Sequence, residues 1–133
     1  PILDAFNENG WTFVIGTEYL TDLSRKLGVN CIGVAVYTEK RIYVSEASAV
    51  LHEFGHFLDC TMGFPQEHKD LYALEAASAP MKQHAKSNSL EYFAEFFAYW
   101  LSGSTRTLAQ LKELTPETYA YFEELSADWN SLS

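Results

Sequence analysis

The stretch VLHEFGHFLD, Val50 to Asp59, places His52 and His56 four residues apart inside an apolar run. Two physical readings compete for it. On an α-helix, residues i and i+4 lie on one face about a turn apart, so both imidazoles can be directed at one tetrahedral metal ion. Glu53, next to the first of them, can then reach a water polarised by that metal and take its proton, which is the H-E-x-x-H arrangement. The other reading is a buried helix whose histidines are satisfied by carbonyl groups. A core helix with Val50, Leu51, Phe54, Phe57 and Leu58 around it has little use for a glutamate between two histidines, and this favours the metal.

A catalytic zinc takes three protein ligands and keeps its fourth position open. The longer metzincin pattern would need a glycine at 59 and a histidine at 62, where this chain has Asp59 and Met62, so that subclass is excluded. What remains is a later histidine, His68 or His84, or a carboxylate on another helix. SLEYFAEFFAYWL, Ser89 to Leu101, carries Glu91 and Glu95 four apart among Tyr92, Phe93, Phe96, Phe97 and Trp100. Two carboxylates a turn apart on so aromatic a helix need a partner. One can bind the metal while the other accepts a hydrogen bond from a ligand imidazole. Against this stands a capping box, in which Asn88 caps the helix and Glu91 completes the cap, leaving Glu95 as the ligand. His68, in the charged run QEHKD, reads as solvated.

A chain of 133 residues holds one core of ordinary size, so residues 1–133 read as a single domain. Nine Lys and Arg against 18 Asp and Glu give a net charge of -9, and the few basic residues are dispersed. This argues against nucleic acid and anionic membrane as partners. No apolar run approaches the roughly 20 residues of a membrane span, and PILDAFNENG shows no basic-then-apolar leader. Cys31 and Cys60 permit one disulfide, and small buried thiols are the equal alternative.

Helical spacing of Ile2, Leu3 and Phe6 stops at Gly10, and WTFVI, Trp11 to Ile15, is a short β-rich run. TDLSRKLG is a second helical stretch, closed by Gly28. CIGVAVY and RIYVS flank Thr38 to Lys40 and read as two antiparallel strands joined by a three-residue turn. Helices follow: Ser45 or Glu46 to about Thr61, then Lys69 to Ser78, Ser89 to Leu101, Thr105 to Leu114, and Pro116 to about Trp129, punctuated by Pro65, Pro80, Gly103 and Pro116. Strands early and helices late indicate an α+β fold, a small antiparallel sheet packed by helices.

VLHEFGHFLD followed by SNSLEYFAEFF resembles the anthrax lethal factor-like (ATLF-like) gluzincin metallopeptidases, a family that includes secreted Pro-Pro endopeptidases. The resemblance covers the two motif helices and, more loosely, the hairpin before them, roughly half the chain. It implies a zincin-like fold and one zinc ion held by His52, His56 and Glu91, with Glu53 as general base and Glu95 behind the ligands. The family places a tyrosine seven residues before the ligand glutamate to stabilise an oxyanion. This sequence has His84 there, and a histidine can also donate to an oxyanion. His84 is otherwise a plain surface residue, with a tyrosine such as Tyr72 swinging in instead. In zincins an edge strand pairs with the extended substrate, a role open to Gly33 to Tyr37 or to Arg41 to Ser45.

The activity this implies is that of a secreted, toxin-like zinc endopeptidase acting on a peptide or protein substrate. The alternative is a catalytically impaired zincin-like binding module of a toxin or secreted protein. A purely structural helical domain would have to accommodate Glu91, Glu95, His52 and His56 in apolar helices without a common partner.

Overall fold

A computed structural model describes residues 6–15, 33–44 and 49–128. Strands β1 (Thr12–Ile15), β2 (Gly33–Val36) and β3 (Arg41–Val44) come first. Helices α1 (Val50–Thr61), α2 (Gln66–Glu75), α3 (Ser89–Ser102), α4 (Thr105–Leu114) and α5 (Pro116–Ala127) follow, with short 3-10 helices at Ala76–Ser78 and Gln83–Lys86 between α2 and α3. Among the described residues the chain is thus α+β, with the three strands ahead of α1 to α5. The helix read in TDLSRKLG, the first turn expected from Ser45, and Cys31 fall outside the described residues, and of the helical stretch read from Ile2 to its stop at Gly10 the described part is helical over residues 6–8. Among those described, Cys60 is a free thiol, and no helix is long and apolar enough to cross a membrane.

The sheet is richer than the predicted antiparallel hairpin. Its order is β1-β3-β2, with β1 parallel to β3 (Thr12 opposite Arg41) and β2 antiparallel to it (Gly33 opposite Val44). Parallel pairing joins segments distant in sequence, so nothing local to WTFVI announces its partner. The hairpin turn also holds four residues, not three. Val36 pairs with Arg41, Tyr37 joins the turn, and Lys40 closes it in the left-handed region at φ 54°. Because β3 is central, Arg41 to Val44 has neighbours on both sides. Of the two candidate docking strands, only β2 keeps an open edge among the described residues.

Helix α1 is apolar almost all round because it is packed from two sides. Phe57 joins Phe6, Trp11, Ile42 and Ala49 beneath the sheet, while Leu58 joins Phe93, Phe96 and Phe97 of α3 in the larger helical core. Each such side chain, fully buried, stabilises the fold by about 1.5–3 kcal/mol. Among the described residues the most extensive packing is α1 on α3, and Gly55 sets its closeness. A Cβ there would lie 2.7 Å from Ala94 Cα and 3.0 Å from the Ala94 carbonyl oxygen. Helix α1 stops at Gly63, which adopts φ 79° while the Phe64 and Gly63 amides return to the Asp59 and Cys60 carbonyls, a Schellman ending.

The N-terminus of α5 is capped from a distance. Glu75, buried at the end of α2, accepts hydrogen bonds from the Glu117 and Thr118 amides at 3.0 and 2.6 Å and from the Thr118 hydroxyl at 2.7 Å. A carboxylate satisfies the first free amides of a helix and meets the positive end of its dipole.

Candidate metal centre

The close crossing of α1 and α3 at Gly55 and Ala94 brings the two motif helices face to face. His52 and His56 on α1 then turn toward Glu91 on α3. His52 Nε2 lies 2.8 Å from Glu91 Oε2, and His56 Nε2 lies 3.4 Å from Glu91 Oε1. One nitrogen from each ring and one carboxylate oxygen lie within 4.8 Å of one another, a group that could hold a metal ion. The imidazole and carboxylate donors are of the kind zinc accepts.

The far nitrogens are also attended. His52 Nδ1 faces Glu95 Oε1 at 3.7 Å, and His56 Nδ1 lies 3.2 Å from the Tyr37 hydroxyl. An oxygen behind each ring sets its orientation and leaves Nε2 to the centre. Nothing in the sequence marks Tyr37 as a site residue, because a turn residue 19 positions upstream of His56 has no helical spacing to betray it. Its ring packs edge-on against Phe64 at 5.2 Å, and Phe64 is held there at φ 51°.

Glu91 meets the helix cap with its backbone and the histidines with its side chain. Asn88 Oδ1 accepts the Glu91 amide at 2.9 Å, so the helix is capped by Asn88. The Glu91 carboxylate, however, is spent on the histidines rather than reaching back to the cap.

Charges at the centre are strongly coupled. Burial disfavours a charged His52, but hydrogen bonds to Glu91 and Glu95 outweigh it and push its pKa up to about 10. Burial likewise pushes Glu91 up, and the two histidines overcome it, holding the carboxyl well below the usual carboxylate range. The shared proton between His52 and Glu91 is what their mutual shifts describe, an imidazolium beside a carboxylate.

Glu53, next to His52 on α1, is 5% exposed. Its burial raises the carboxyl above its ordinary value, with His56 and His52 opposing. Its Oε2 is buried without a hydrogen-bond partner among the described residues. Strand β2 reaches it through Gly33, where a Cβ would stand 3.0 Å from Glu53 Cγ and 3.2 Å from Oε1. A buried carboxylate oxygen with no protein partner is costly unless something else meets it.

His84 sits on the 3-10 helix Gln83–Lys86 with its Nε2 3.4 Å from Glu91 Oε2, and its side chain is 78% exposed. Tyr72 is committed elsewhere, donating to the Lys86 carbonyl at 2.6 Å. His68 is the clear departure from expectation. It is 4% exposed, held through Nδ1 by Asp59 at 2.7 Å and through Nε2 by the Tyr121 hydroxyl at 2.7 Å, and stacked on Phe93 at 4.0 Å. In QEHKD the other four side chains are exposed and only His68 faces inward, a pattern that the charge of the run conceals.

A search of curated proteins finds no match. The family described as anthrax toxin lethal factor, N- and C-terminal domain, matches residues 8–125, which take in the sheet, both motif helices and most of α5. The chain belongs to the anthrax toxin lethal factor N- and C-terminal domain family.

Proposed function

We propose that the chain is a zinc-dependent endopeptidase with a zincin-like fold, its single zinc held by His52, His56 and Glu91. The observation that carries this reading is the convergence of both Nε2 atoms on one carboxylate, with the buried Oε2 of Glu53 unpartnered on the same helix as the two histidines. Bound zinc would supply a Lewis acid that polarises the scissile carbonyl and makes a water acidic enough to lose its proton near neutrality.

The remaining work falls to the chain. Glu53 Oε2 accepts the proton of the attacking water and passes it to the departing amine nitrogen; a raised carboxyl pKa makes Glu53 the better base. His84, exposed at the rim, donates a hydrogen bond to the carbonyl oxygen as charge develops there. Glu95 and Tyr37 keep the two ligand rings turned inward. The substrate backbone lies along the open edge of β2, whose Gly33 leads to Glu53. Membership of a toxin family supports secretion and a toxin-like setting.

The test is the metal content of the purified chain by atomic emission, followed by a peptide-library assay with and without chelator. Zinc at one equivalent with chelator-sensitive cleavage is expected. Zinc without cleavage favours a binding module, a reading that rests on His84 standing where the family resemblance places a tyrosine. No zinc after reconstitution overturns both.

A further inference from the structure

His84 does more at this centre than an oxyanion donor requires. Its Nε2 approaches Oε2 of Glu91, the same oxygen that His52 meets, at 3.4 Å. Two ligand atoms each about 2.0–2.1 Å from a tetrahedral ion stand about 3.4 Å apart. His56 Nε2 and Glu91 Oε1 show the same 3.4 Å. His84 is thus spaced from the Glu91 carboxylate as one ligand is from another, although it lies outside the three whose donor atoms are already within 4.8 Å of one another.

The short helix that carries it explains how the rest of the distance can be closed. Its backbone is pinned, with Ala85 buried, the Tyr72 hydroxyl on the Lys86 carbonyl, and the Ser87 amide and hydroxyl both on the His84 carbonyl. The His84 side chain is not pinned. At 78% exposed it is free to change rotamer over a fixed point of attachment. An imidazole that swings on a held turn, beside a carboxylate ligand, is a fourth ligand with a hinge.

We propose that His84 is a displaceable fourth protein ligand, so that the resting site is closed by His52, His56, His84 and Glu91 and opens when a carbonyl oxygen takes the place of His84. Closed four-ligand sites are structural and open ones catalytic; here one exposed side chain moves the centre between the two. No proton is transferred in the exchange, since a neutral imidazole leaves as a neutral carbonyl oxygen arrives. The freed imidazole keeps its proton on Nδ1, and once the ring turns that nitrogen toward the oxygen, it can donate to it. This inference rests on the zinc reading above.

Cobalt(II) as a spectroscopic probe, bound to the full chain, tests it with His84→Ala and His84→Gln alongside the wild type. The wild type should show the intense visible bands of a four-coordinate ion. Both variants should show shifted bands as a water oxygen replaces the imidazole nitrogen, and bind cobalt at least about tenfold more weakly, in the range that support of a metal ligand is worth. Acetohydroxamate, an oxygen donor that must displace His84 in the wild type, should bind the cobalt-loaded variants more tightly than the wild type. Identical spectra and affinities in all three chains would overturn the fourth ligand and leave the zinc reading intact. Failure of the wild type to bind cobalt or zinc at all would overturn both.

Discussion

Toward the start of α1, His52 and His56 aim their Nε2 atoms at Glu91, a carboxylate partly open to solvent; toward its end, Asp59 and His68 face each other in the interior. The residue types are the same, and the chemistry left available is opposite. Both nitrogens of His68 are consumed, one by Asp59 and the other by Tyr121, so the ring has no lone pair to offer an ion. At the first cluster an oxygen stands behind each ring and the inward nitrogens converge. What separates a candidate ligand from a structural histidine is therefore where its second nitrogen goes, and neither sequence spacing nor burial alone reports that.

The comparison breaks most visibly at Glu53. Glu53→Gln should lower turnover by about 10²–10⁴-fold, the usual worth of a general base, while zinc measured by atomic emission stays at the wild-type ratio. A parallel loss of zinc would make Glu53 part of the holding group instead. The second cluster should respond in the opposite sense. His68→Ala leaves Asp59 buried with neither oxygen partnered and should cost about 3 kcal/mol of stability, read from denaturant unfolding, with the zinc ratio unchanged.

Proton competition sharpens the contrast next. In the metal-free chain His52 has its pKa raised from 6.5 to about 10 by its carboxylate partners. Its pairing therefore stabilises the metal-free fold fully below about pH 6.5 and is lost as pH rises through about 10. The same proton must leave before a metal can bind. Zinc affinity should rise with pH, by about tenfold per unit for each proton displaced, with proton release measurable by calorimetry in buffers of different ionisation enthalpy. The smallest effect is expected at the crossing point of α1 and α3. Gly55→Ala gains helix propensity but pushes a methyl into Ala94, and should lower stability by a net of about 1–2 kcal/mol, with a measurable drop in zinc affinity as the helices part.

Much of this site is legible in the chain because helical spacing is a strong local rule. His52, Glu53 and His56 on one helix, and Glu91 and Glu95 on another, can be read as two halves from their four-residue intervals. Contributions that cross between elements leave no such interval. Tyr37 enters from a turn, Gly33 is meaningful only because β2 passes over Glu53, and Gly55 matters only because Ala94 is opposite. The sheet divides in the same way, its hairpin visible and the parallel pairing of β1 with β3 hidden. His68 misleads for a related reason, since one inward residue in a charged run is invisible until a second helix and an aspartate define its inside.

Glu75 bears on how far the chain can be shortened. No group of the candidate metal centre lies on α5, so a shortened version ending after α4 would keep every candidate ligand and the proposed general base. It would also strip Glu75 of the three donors it holds in the first turn of α5, and with them the aromatic contacts of Phe122 on Phe93 and Phe96 beneath Glu91. The smallest piece that holds the candidate site together therefore extends well past the last residue of that site.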